Sequence, residues 1–537
     1  VQGQEFLAEA VARARKDPAA RNRLQLESTS GNRVIEPAGA KRISEDLIER
    51  YRFRHILFHQ YLYKKLDDAE RTRMHEATGR AIEDLYAGHP EPPVVDLAHH
   101  FDEAGLAESA IEYARAGGHR AVRMSANEEA LAHLNKALAL LQSLPDTSER
   151  ASQELKLQIS LGPSLMAIKG YGAAEVKQTY DRALELYQGL DEPPQQIAVL
   201  RGLWAFYLLR AEYRQAQDLA QQLLTLAQRP QHSALLMDAH GVAGMTSFYM
   251  GELPAAHEHL EHGIALYNPQ EHHSLAFVYG QDPGVACLNH SAWALWFRVY
   301  PDQALQRSRD AVTLAQELSH PFSLAFALAF SARVHIYRRE VRAAQEVSED
   351  AITLCTEQGF PFWLAMASIL QGWALAEQGQ EQAGIAQMRH GLRVWRATGA
   401  ALAETSYLAL MAEACGEAGQ AEEGLRLLAE AFAAVEQRDE RYFEAELHRL
   451  QGELLLAQPG AETEAEAEAC FLRAIQIAHQ QHAKSWELRA AMSLARLWQK
   501  QGRPEEARQV LDPVYDWFTE GFDTLDLIGA RSLLESL

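Results

Sequence analysis

Apolar residues recur every three to four positions over most of the chain, and this spacing predicts α-helices rather than strands. The helical pattern itself repeats at a longer interval. Equivalent positions, which we call anchors, lie 40 residues apart except for one interval of 48 and one of 43. The anchors are Ser164, Trp204, Gly244, Ala292, Ala332, Gly372, Ala412, Gly452 and Ala495. An internal period of this size is typical of helical-repeat proteins.

Three positions after each anchor have a constant character. At +7 the helical pattern is interrupted by Gly or by a short polar turn, as at Gly379 and Gly419. At +12 the residue is Ala or Gly in eight of nine repeats, provided that the repeat of Gly452 carries three extra residues. At +20 it is always apolar. We therefore expect helical hairpins whose two helices approach closely at +12 and pack through the side chain at +20.

This arrangement of small and apolar residues resembles the tetratricopeptide repeat. The usual period of that repeat is about 34 residues, so a period of about 40 implies helices that are longer by roughly one turn. The resemblance implies an all-α fold, a right-handed superhelix of helical hairpins. It also implies that a protein partner or a peptide binds on the concave face.

The pattern divides the chain into four parts. Residues 161–524 form the regular tetratricopeptide-like array, residues 91–160 hold two compressed repeats, and residues 525–537 read as a C-terminal capping helix. Residues 1–90 do not follow the repeat. We predict this part to be a small winged-helix-like adaptor.

The winged-helix prediction rests on the order of elements in the first ninety residues. A helical pattern up to about Arg23 is followed by two short segments, Asn32–Glu36 and Glu49–Arg54, which can pair as a hairpin across a loop holding Pro37 and Gly39. A helix with Ile56, Leu57, Tyr61, Leu62 and Leu66 comes next, and a further helix is predicted over Asp68–Leu85.

Charge disfavours two classes of partner. Lys and Arg total 51 against 73 Asp and Glu, a net charge of −22, which opposes non-specific binding to nucleic acid or to an anionic membrane. Residues 41–80 carry ten basic and seven acidic residues, a local +3, but the two signs alternate. Nucleic acid is therefore the less favoured partner of this segment.

No apolar run approaches the roughly 18 residues of a membrane span and no leader is evident, so we expect a cytoplasmic protein.

A second resemblance concerns the whole chain. The runs Tyr51–Phe58 and Tyr61–Tyr63, with the helix of Glu70–His75, look like the segment that closes the ATPase module of bacterial STAND-type predicted ATPases. Three further stretches are similar to the same family, in which an adenylate or guanylate cyclase domain, an AAA-type ATPase and repeats follow one another: Ser125–Ala130, Tyr279–Gly284 and Trp517–Asp523.

That resemblance implies a cyclase and a site for ATP and Mg²⁺ upstream of Val1, with this chain as the non-catalytic sensor and scaffold arm that regulates the switch. The first residue is Val1 and the first methionine is Met74, so we expect a piece of a longer polypeptide. Two alternatives stay open: a free-standing repeat adaptor, and the regulatory arm of a STAND-type transcription activator. The sequence upstream of Val1 separates them.

Motifs of catalysis are missing from the sequence. It has no GxxxxGK[ST] loop, no GxSxG elbow and no HExxH helix, and its four cysteines are 55 to 68 residues apart. His259 and His262 share a helix face, a spacing that can bind a metal, but Glu258 and Glu261 beside them are typical of a solvated face. We predict no catalytic residue, no cofactor and no metal in this chain.

Candidate binding residues come from two features. The interval of 48 places eight extra residues at 268–284, and insertions in repeat arrays often gather on the binding face; a turn that only adjusts the superhelix is the alternative. Arginines and aromatic residues on first helices are expected to face the concave side, where they offer paired donors and stacking area. The candidates are Tyr279, Gln281 and Asp282 in the insertion and Trp296, Arg298, Arg333, Tyr337 and Trp363 on the helices.

Overall fold

The structure is a computed structural model that describes residues 35–43, 46–53, 60, 63–188, 193–228, 233–458 and 461–537. The chain divides into two compact units, residues 1–157 and 158–537. The predicted division at residue 160 falls close to this boundary, whereas residue 90 lies inside the first unit. The predicted helices up to Arg23 and around Ile56–Leu62 lie outside the described residues.

The first unit contains the hairpin predicted near its start. Strands β1, Ile35–Ile43, and β2, Asp46–Phe53, pair antiparallel, with Ile35 opposite Phe53. The predicted position of the loop is wrong. The first strand runs on through Pro37, with an irregular register between Pro37 and Ala40, and the strands are joined between Ile43 and Asp46. Proline has no N–H to donate, which is why the ladder is irregular at this point. The winged-helix assignment stays a prediction.

Five helices follow in this part of the chain. The first, α1, spans Asp68–Leu85 as predicted, because Asp67 and Glu70 each accept the other's backbone N–H in a capping box. The next four are α2, Val94–Glu103; α3, Ala107–Arg123; α4, Asn127–Leu141; and α5, Ser148–Lys169, which continues into the second unit.

The second unit is built of helices in its described residues, and these alternate as first and second helices of hairpins. After α5 they are α6, Ala174–Tyr187; α7, Pro193–Leu209; α8, Tyr213–Ala227; α9, Ser233–Tyr249; and α10, Leu253–Leu266. The predicted insertion then forms α11, Pro269–His272, a 3-10 turn, His273–Leu275, and α12, Ala276–Tyr279.

The regular hairpins continue to the end of the chain. Their helices are α13, Pro283–Arg298; α14, Pro301–Glu317; α15, Pro321–Tyr337; α16, Val341–Gln358; α17, Pro361–Glu377; α18, Glu381–Ala397; α19, Glu404–Glu417; α20, Ala421–Arg438; α21, Glu444–Leu456; α22, Ala461–Gln481; α23, Lys484–Lys500; α24, Pro504–Tyr515; and α25, Leu525–Ser536. The fold is all-α with tetratricopeptide-like repeats, as predicted.

The small residues at +12 lie where the two helices of a hairpin touch, which confirms that prediction. A Cβ added to Gly384 would lie 2.3 Å from the backbone oxygen of Gly372, and one added to Gly372 would lie 2.8 Å from that of Gly384. Real Cβ atoms do not come this close to backbone oxygen. The repeat therefore depends on the absence of side-chain volume at this crossing.

The residue at +7 turns the chain from the first helix into the second by adopting a left-handed backbone. Gly379 and Gly419 have φ of 79° and 71°, and glycine takes this conformation at little cost. Ala211, Arg339 and Val299 adopt it at the same position in other repeats, with φ of 57°, 61° and 116°. The turn is thus fixed by the packing of the hairpin and not by glycine alone.

The predicted role of the +20 side chains needs correction. The residue at +19, such as Ala351 or Gly391, is the one buried between helices, while the apolar residue at +20 is half-buried in every repeat except at Leu392. A helix turns by about 100° per residue, so adjacent positions cannot both face the partner helix.

Loops five repeats apart meet in the second unit. The N–H of Ala401 donates to the carbonyl of Leu209 over 2.8 Å, and the N–H of Arg441 donates to that of Tyr249 over 3.0 Å. Gly172 and Gly399 come so close that a Cβ on either would lie 2.3 Å from the other's oxygen. Successive turns of the superhelix therefore touch along their loops.

No helix among the described residues is long and apolar enough to cross a membrane.

Candidate ligand site in the central aromatic cluster

First and second helices of the hairpins are buried to different degrees. In α15, a first helix, both the apolar residues and Ser323, Ser331 and Arg333 are buried, whereas α16, a second helix, buries only a narrow stripe of small residues. The first helices therefore face the inside of the superhelix. The concave side was predicted to bind a protein partner or a peptide, and this stays a prediction; in the structure the first-helix side chains on this side are buried.

The inside of the superhelix is filled by aromatic side chains in mutual contact, which we call the central aromatic cluster. The Trp293 and Phe330 rings stack with centroids 4.0 Å apart, and the Trp363 and Phe326 rings stack at 4.9 Å. Its members are Tyr171, Phe248, Tyr249, Trp293, Trp296, Phe297, Phe326, Phe330, Tyr337, Phe362, Trp363, Trp395, Tyr407, Tyr442, Phe443 and Trp486.

A cavity lies within this cluster. Tyr171, Trp363, Trp395, Tyr407 and Gln281 are among the residues that line it, together with apolar side chains. The centres of water molecules can occupy about 40 Å³ of it, which is room for roughly three waters. The cavity has room for a few water molecules and is too small for a peptide.

Arg333 contacts aromatic rings that line this cavity and a second one, but it is not among the residues that line either. Its guanidinium carbon is 5.5 Å from the ring centroid of Tyr407, which lines the first cavity, and 5.3 and 5.6 Å from those of Tyr337 and Phe443, which line the second. The Arg333 side chain is buried, with 1% of the residue exposed. Its Nε and Nη1 have no hydrogen-bond partner among the described residues.

The second cavity is bordered by ion pairs. Arg339 contacts Glu413 at 2.6 Å, and this guanidinium lowers the pKa of the Glu413 carboxyl to about 2 in spite of burial, which acts in the opposite direction. Burial, with the charge of Glu413 nearby, raises the pKa of Glu377 to about 7. Arg489 lines the same cavity and pairs with Asp526 at 2.8 Å.

Three of the predicted site residues lie in the insertion, and they have different roles. Gln281 lines the first cavity and accepts a hydrogen bond of 3.0 Å from Tyr171 Oη. Asp282 caps α13: its Oδ1 accepts from the N–H of Val285, and its Oδ2 accepts from Tyr267 Oη. Burial raises the pKa of Asp282 to about 6. The Tyr279 ring packs against the guanidinium of Arg201 at 5.4 Å.

The other five predicted residues are only partly brought together. Trp296 stacks on Tyr337 at 4.7 Å, Arg333 contacts Tyr337, and Trp363 belongs to the same cluster through Phe326. Arg298 is different: it is half-exposed, at the last turn of α13. Binding by any of these residues stays a prediction, and those in the cluster are buried rather than presented on an open surface.

Glu440 was missed by sequence reasoning. It is fully buried at the contact between successive turns, where it accepts hydrogen bonds from Tyr213 Oη, from the N–H of Ala403 and from the N–H and hydroxyl of Thr405. Burial raises the pKa of its carboxyl. A glutamate in a loop between repeats carries no signal of this role, because its partners are up to 227 residues away.

His259 and His262, which were singled out by their spacing, lie beside a third histidine in the structure. His240 Nδ1 is 2.9 Å from His259 Nδ1, and the ring centroids of His240 and His262 are 5.0 Å apart. Burial lowers the pKa of both His240 and His259. Among the described residues, no group of three or more His, Cys, Asp or Glu side chains has a geometry that could hold a metal ion.

No model of a protein family matches this chain. An uncharacterized protein of Rhizobium meliloti (strain 1021) is 25% identical over 453 residues, which cover 83% of this chain and 43% of that protein. The chain thus spans less than half the length of this curated relative.

The solved structures to which the chain is similar include a quorum sensor and a Rap protein. The quorum sensor NprR in complex with its cognate peptide NprX has a TM-score of 0.47 and 16% identity, over 68% of this chain and 98% of that one. A Rap protein complexed with competence and sporulation factor has a TM-score of 0.46 and 13% identity, over 75% and 100%. Both TM-scores are below 0.5, so what those proteins bind is not transferred to this chain.

Proposed function

We propose that this chain is the non-catalytic sensor and scaffold arm of a longer signalling protein. The second unit would hold a small ligand in its central aromatic cluster, and ligand binding would change the contacts between successive turns of the superhelix. The observation that carries this proposal is the buried interior of the second unit. A cavity and a buried arginine without a carboxylate partner lie inside a helical array whose successive turns touch through loop contacts and through the aromatic cluster.

A sensor needs two states that a ligand distinguishes, because a ligand that binds both equally shifts nothing. The second state would be one in which the loop contacts are broken. If Tyr213 and Glu440 separate, the hairpins keep their own packing while the cluster opens between turns. The two states would differ in the shape of the cavity, and hence in their affinity for whatever it holds.

The switch that this arm controls is proposed to be a STAND-type ATPase or a nucleotide cyclase in the longer protein. The runs of sequence that resemble this family support the proposal. In this proposal the other part of the polypeptide turns over the nucleotide. Residues 1–537 bind a ligand without catalysing a reaction.

The test uses the longer protein. We would compare nucleotide hydrolysis and cyclase activity of the natural sequence with those of Tyr213→Phe, which removes the hydroxyl donor to Glu440. The control is Tyr187→Phe, since Tyr187 is half-buried in a different hairpin. We expect at least a threefold change in the rate of turnover for Tyr213→Phe alone. Equal rates in all three proteins, or no turnover in the natural one, would contradict the proposal.

A further inference from the structure

Residues 268–281, the insertion between α10 and α13, form a segment that we call the strap. It consists of two helices of four residues, α11 and α12, joined by a 3-10 turn. Helices this short are not stable by themselves in water. The strap is therefore held in place by what it contacts, and those contacts include α5 and α7, which come well before it in the chain.

Two side chains at the end of the strap contact the first two hairpins of the second unit. The Tyr279 ring centroid lies 5.4 Å from the guanidinium carbon of Arg201 on α7. Gln281 Oε1 accepts a hydrogen bond of 3.0 Å from the hydroxyl of Tyr171, which lies in the loop after α5. Tyr279 and Gln281 are each only 7% exposed. The early hairpins thus accept an aromatic ring and an amide from another segment of the chain.

The backbone between these two side chains also lies against the early hairpins. Gly280 has a φ of 82°, a left-handed conformation that glycine takes at little cost. A Cβ added to it would lie 3.7 Å from the Cα of Pro163 in α5. Three residues of the strap in a row are therefore seated on one surface. We call this surface, formed by Pro163, Tyr171 and Arg201, the strap surface.

The strap covers polar atoms that it does not satisfy. Arg201 Nε pairs with Asp238 Oδ1 at 3.2 Å, and both side chains are buried. Among the described residues, Arg201 Nη2 and Asp238 Oδ2 have no hydrogen-bond partner. Burial and the nearby charge of Asp238 raise the pKa of Tyr279. Because unpartnered buried polar atoms cost free energy, access of water to this ion pair would offset part of the cost of moving the strap away.

The other face of the strap is open to solvent. Glu271, His273 and Ser274 are exposed, and Val278 is 38% exposed. On the side of the next hairpin the half-buried Phe277 ring lies edge-on to His320 at 5.2 Å. A segment with one face in water and few anchoring contacts is typical of the parts of a protein that open locally while the rest stays folded.

We propose that the strap surface is a docking surface for a short peptide segment of a partner, and that the strap occupies it in cis until such a segment displaces it. The segment would carry an aromatic residue and, two residues later, an amide side chain, as Tyr279 and Gln281 do in the strap. This inference goes beyond the proposed function, since it needs neither the central cavity nor an upstream switch. A tethered segment acts at a high effective concentration, so a free peptide of the same sequence competes poorly with it.

The experiment separates the strap from its surface. A shortened chain lacks residues 274–281, which joins His273 to Asp282 and restores the 40-residue interval of the neighbouring repeats. A fluorescein-labelled peptide of residues 268–284 is titrated with the natural and the shortened chain, and fluorescence anisotropy reports binding. We expect saturable binding to the shortened chain and binding to the natural chain that is weaker by about tenfold or more. No binding to a folded shortened chain, or equal binding to both chains, would overturn the proposal.

Variants of the peptide locate the contacts. Tyr279→Ala removes the ring that packs on Arg201, and Gln281→Ala removes the acceptor for Tyr171. Each should weaken binding to the shortened chain by about fivefold or more. The control is Val278→Ala, because Val278 is exposed in the strap and should not contact the surface. Equal affinities of the four peptides would reject the strap surface as the place of binding.

A measurement on the full chain covers the case in which the shortened chain does not fold. Hydrogen exchange should be faster by about tenfold or more at the amides of residues 270–279 than in the middle of α9. Tyr279→Ala should speed this exchange further and leave α9 protected. Protection of the strap equal to that of α9 would contradict the proposal. The comparison of Tyr213→Phe in the longer protein involves neither the strap nor the peptide, so the two proposals can fail separately.

Discussion

Tyr213 donates a hydrogen bond of 2.6 Å through its hydroxyl to Oε2 of Glu440, which is 227 residues further along the chain. Both residues are buried. This contact joins the first residue of α8 to the loop that follows α20, five repeats later. It shows how an array of similar hairpins becomes a closed body rather than an open spiral.

Loss of this hydrogen bond should weaken the closure. In Tyr213→Phe the Glu440 carboxyl keeps its three bonds to Ala403 and Thr405 and loses one donor. Removing a hydrogen bond to a charged group costs about 1.5–3 kcal/mol. We expect a lower free energy of unfolding by about that amount in urea denaturation. Tyr187→Phe is the control, and an equal loss there would mean that the contact between turns contributes nothing.

The crossing of the two helices in a hairpin should not tolerate a methyl group. Gly384→Ala would place Cβ 2.3 Å from the Gly372 oxygen, so the helices must separate, and we expect a loss of about 3 kcal/mol or more. In Gly416→Ala the new Cβ meets the flexible end of the Leu454 side chain at 2.7 Å. That variant should lose much less stability. Comparable Tm values for the two variants would show that the close crossing is not needed.

Arg339 and Glu413 should behave as a coupled pair. Arg339→Met leaves the Glu413 carboxylate buried without its main counter-charge, which costs about 3–5 kcal/mol. Arg339→Met with Glu413→Gln should recover at least half of this loss, since the buried charge is gone. Thermal unfolding of the four proteins in a double-mutant cycle measures the coupling, and simple additivity would contradict the pairing.

Stability should fall on acidification because of buried histidines. Burial lowers the pKa of His290 and of His320 to about 4, from the usual 6.5 of a histidine. At these two histidines the unfolded chain binds protons more readily than the folded chain. The stability that each neutral histidine contributes is therefore fully present above pH 6.5. It is lost as the pH falls from 6.5 to 4. For His290 this amounts to about 3 kcal/mol.

The matched variant is His290→Gln, which cannot titrate. Urea denaturation at several pH values should show a shallower fall of stability between pH 6.5 and 4 than in the natural chain. Identical slopes would mean that His290 does not resist protonation in the folded protein.

Sequence periodicity predicted the hairpins because their determinants are local. The small residue at +12 and the break at +7 act between neighbours about ten residues apart, as the contact of Gly372 with Gly384 shows. Arg333, Tyr337 and Trp296 could also be singled out, since arginine and aromatic residues on first helices share one face. Their convergence is a consequence of the repeat itself.

The closure of the superhelix could not be predicted in the same way. It depends on small rotations between repeats that accumulate over about 230 residues, and the period alone does not determine them. Glu440 therefore had no signal in the sequence, and neither did the cavity beside Trp395 and Tyr407. Binding on the concave face stays a prediction: the first-helix residues named for it that lie in the cluster, Trp296, Arg333, Tyr337 and Trp363, are buried.

The most direct test of a closed superhelix is hydrogen exchange at the amides that bond between turns. Ala401 and Arg441 lie in loops, and their N–H groups donate to the carbonyls of Leu209 and Tyr249. We predict that both exchange slowly, with protection close to that of amides in the middle of α17. Exchange of both within seconds at neutral pH, with α17 protected, would contradict the account.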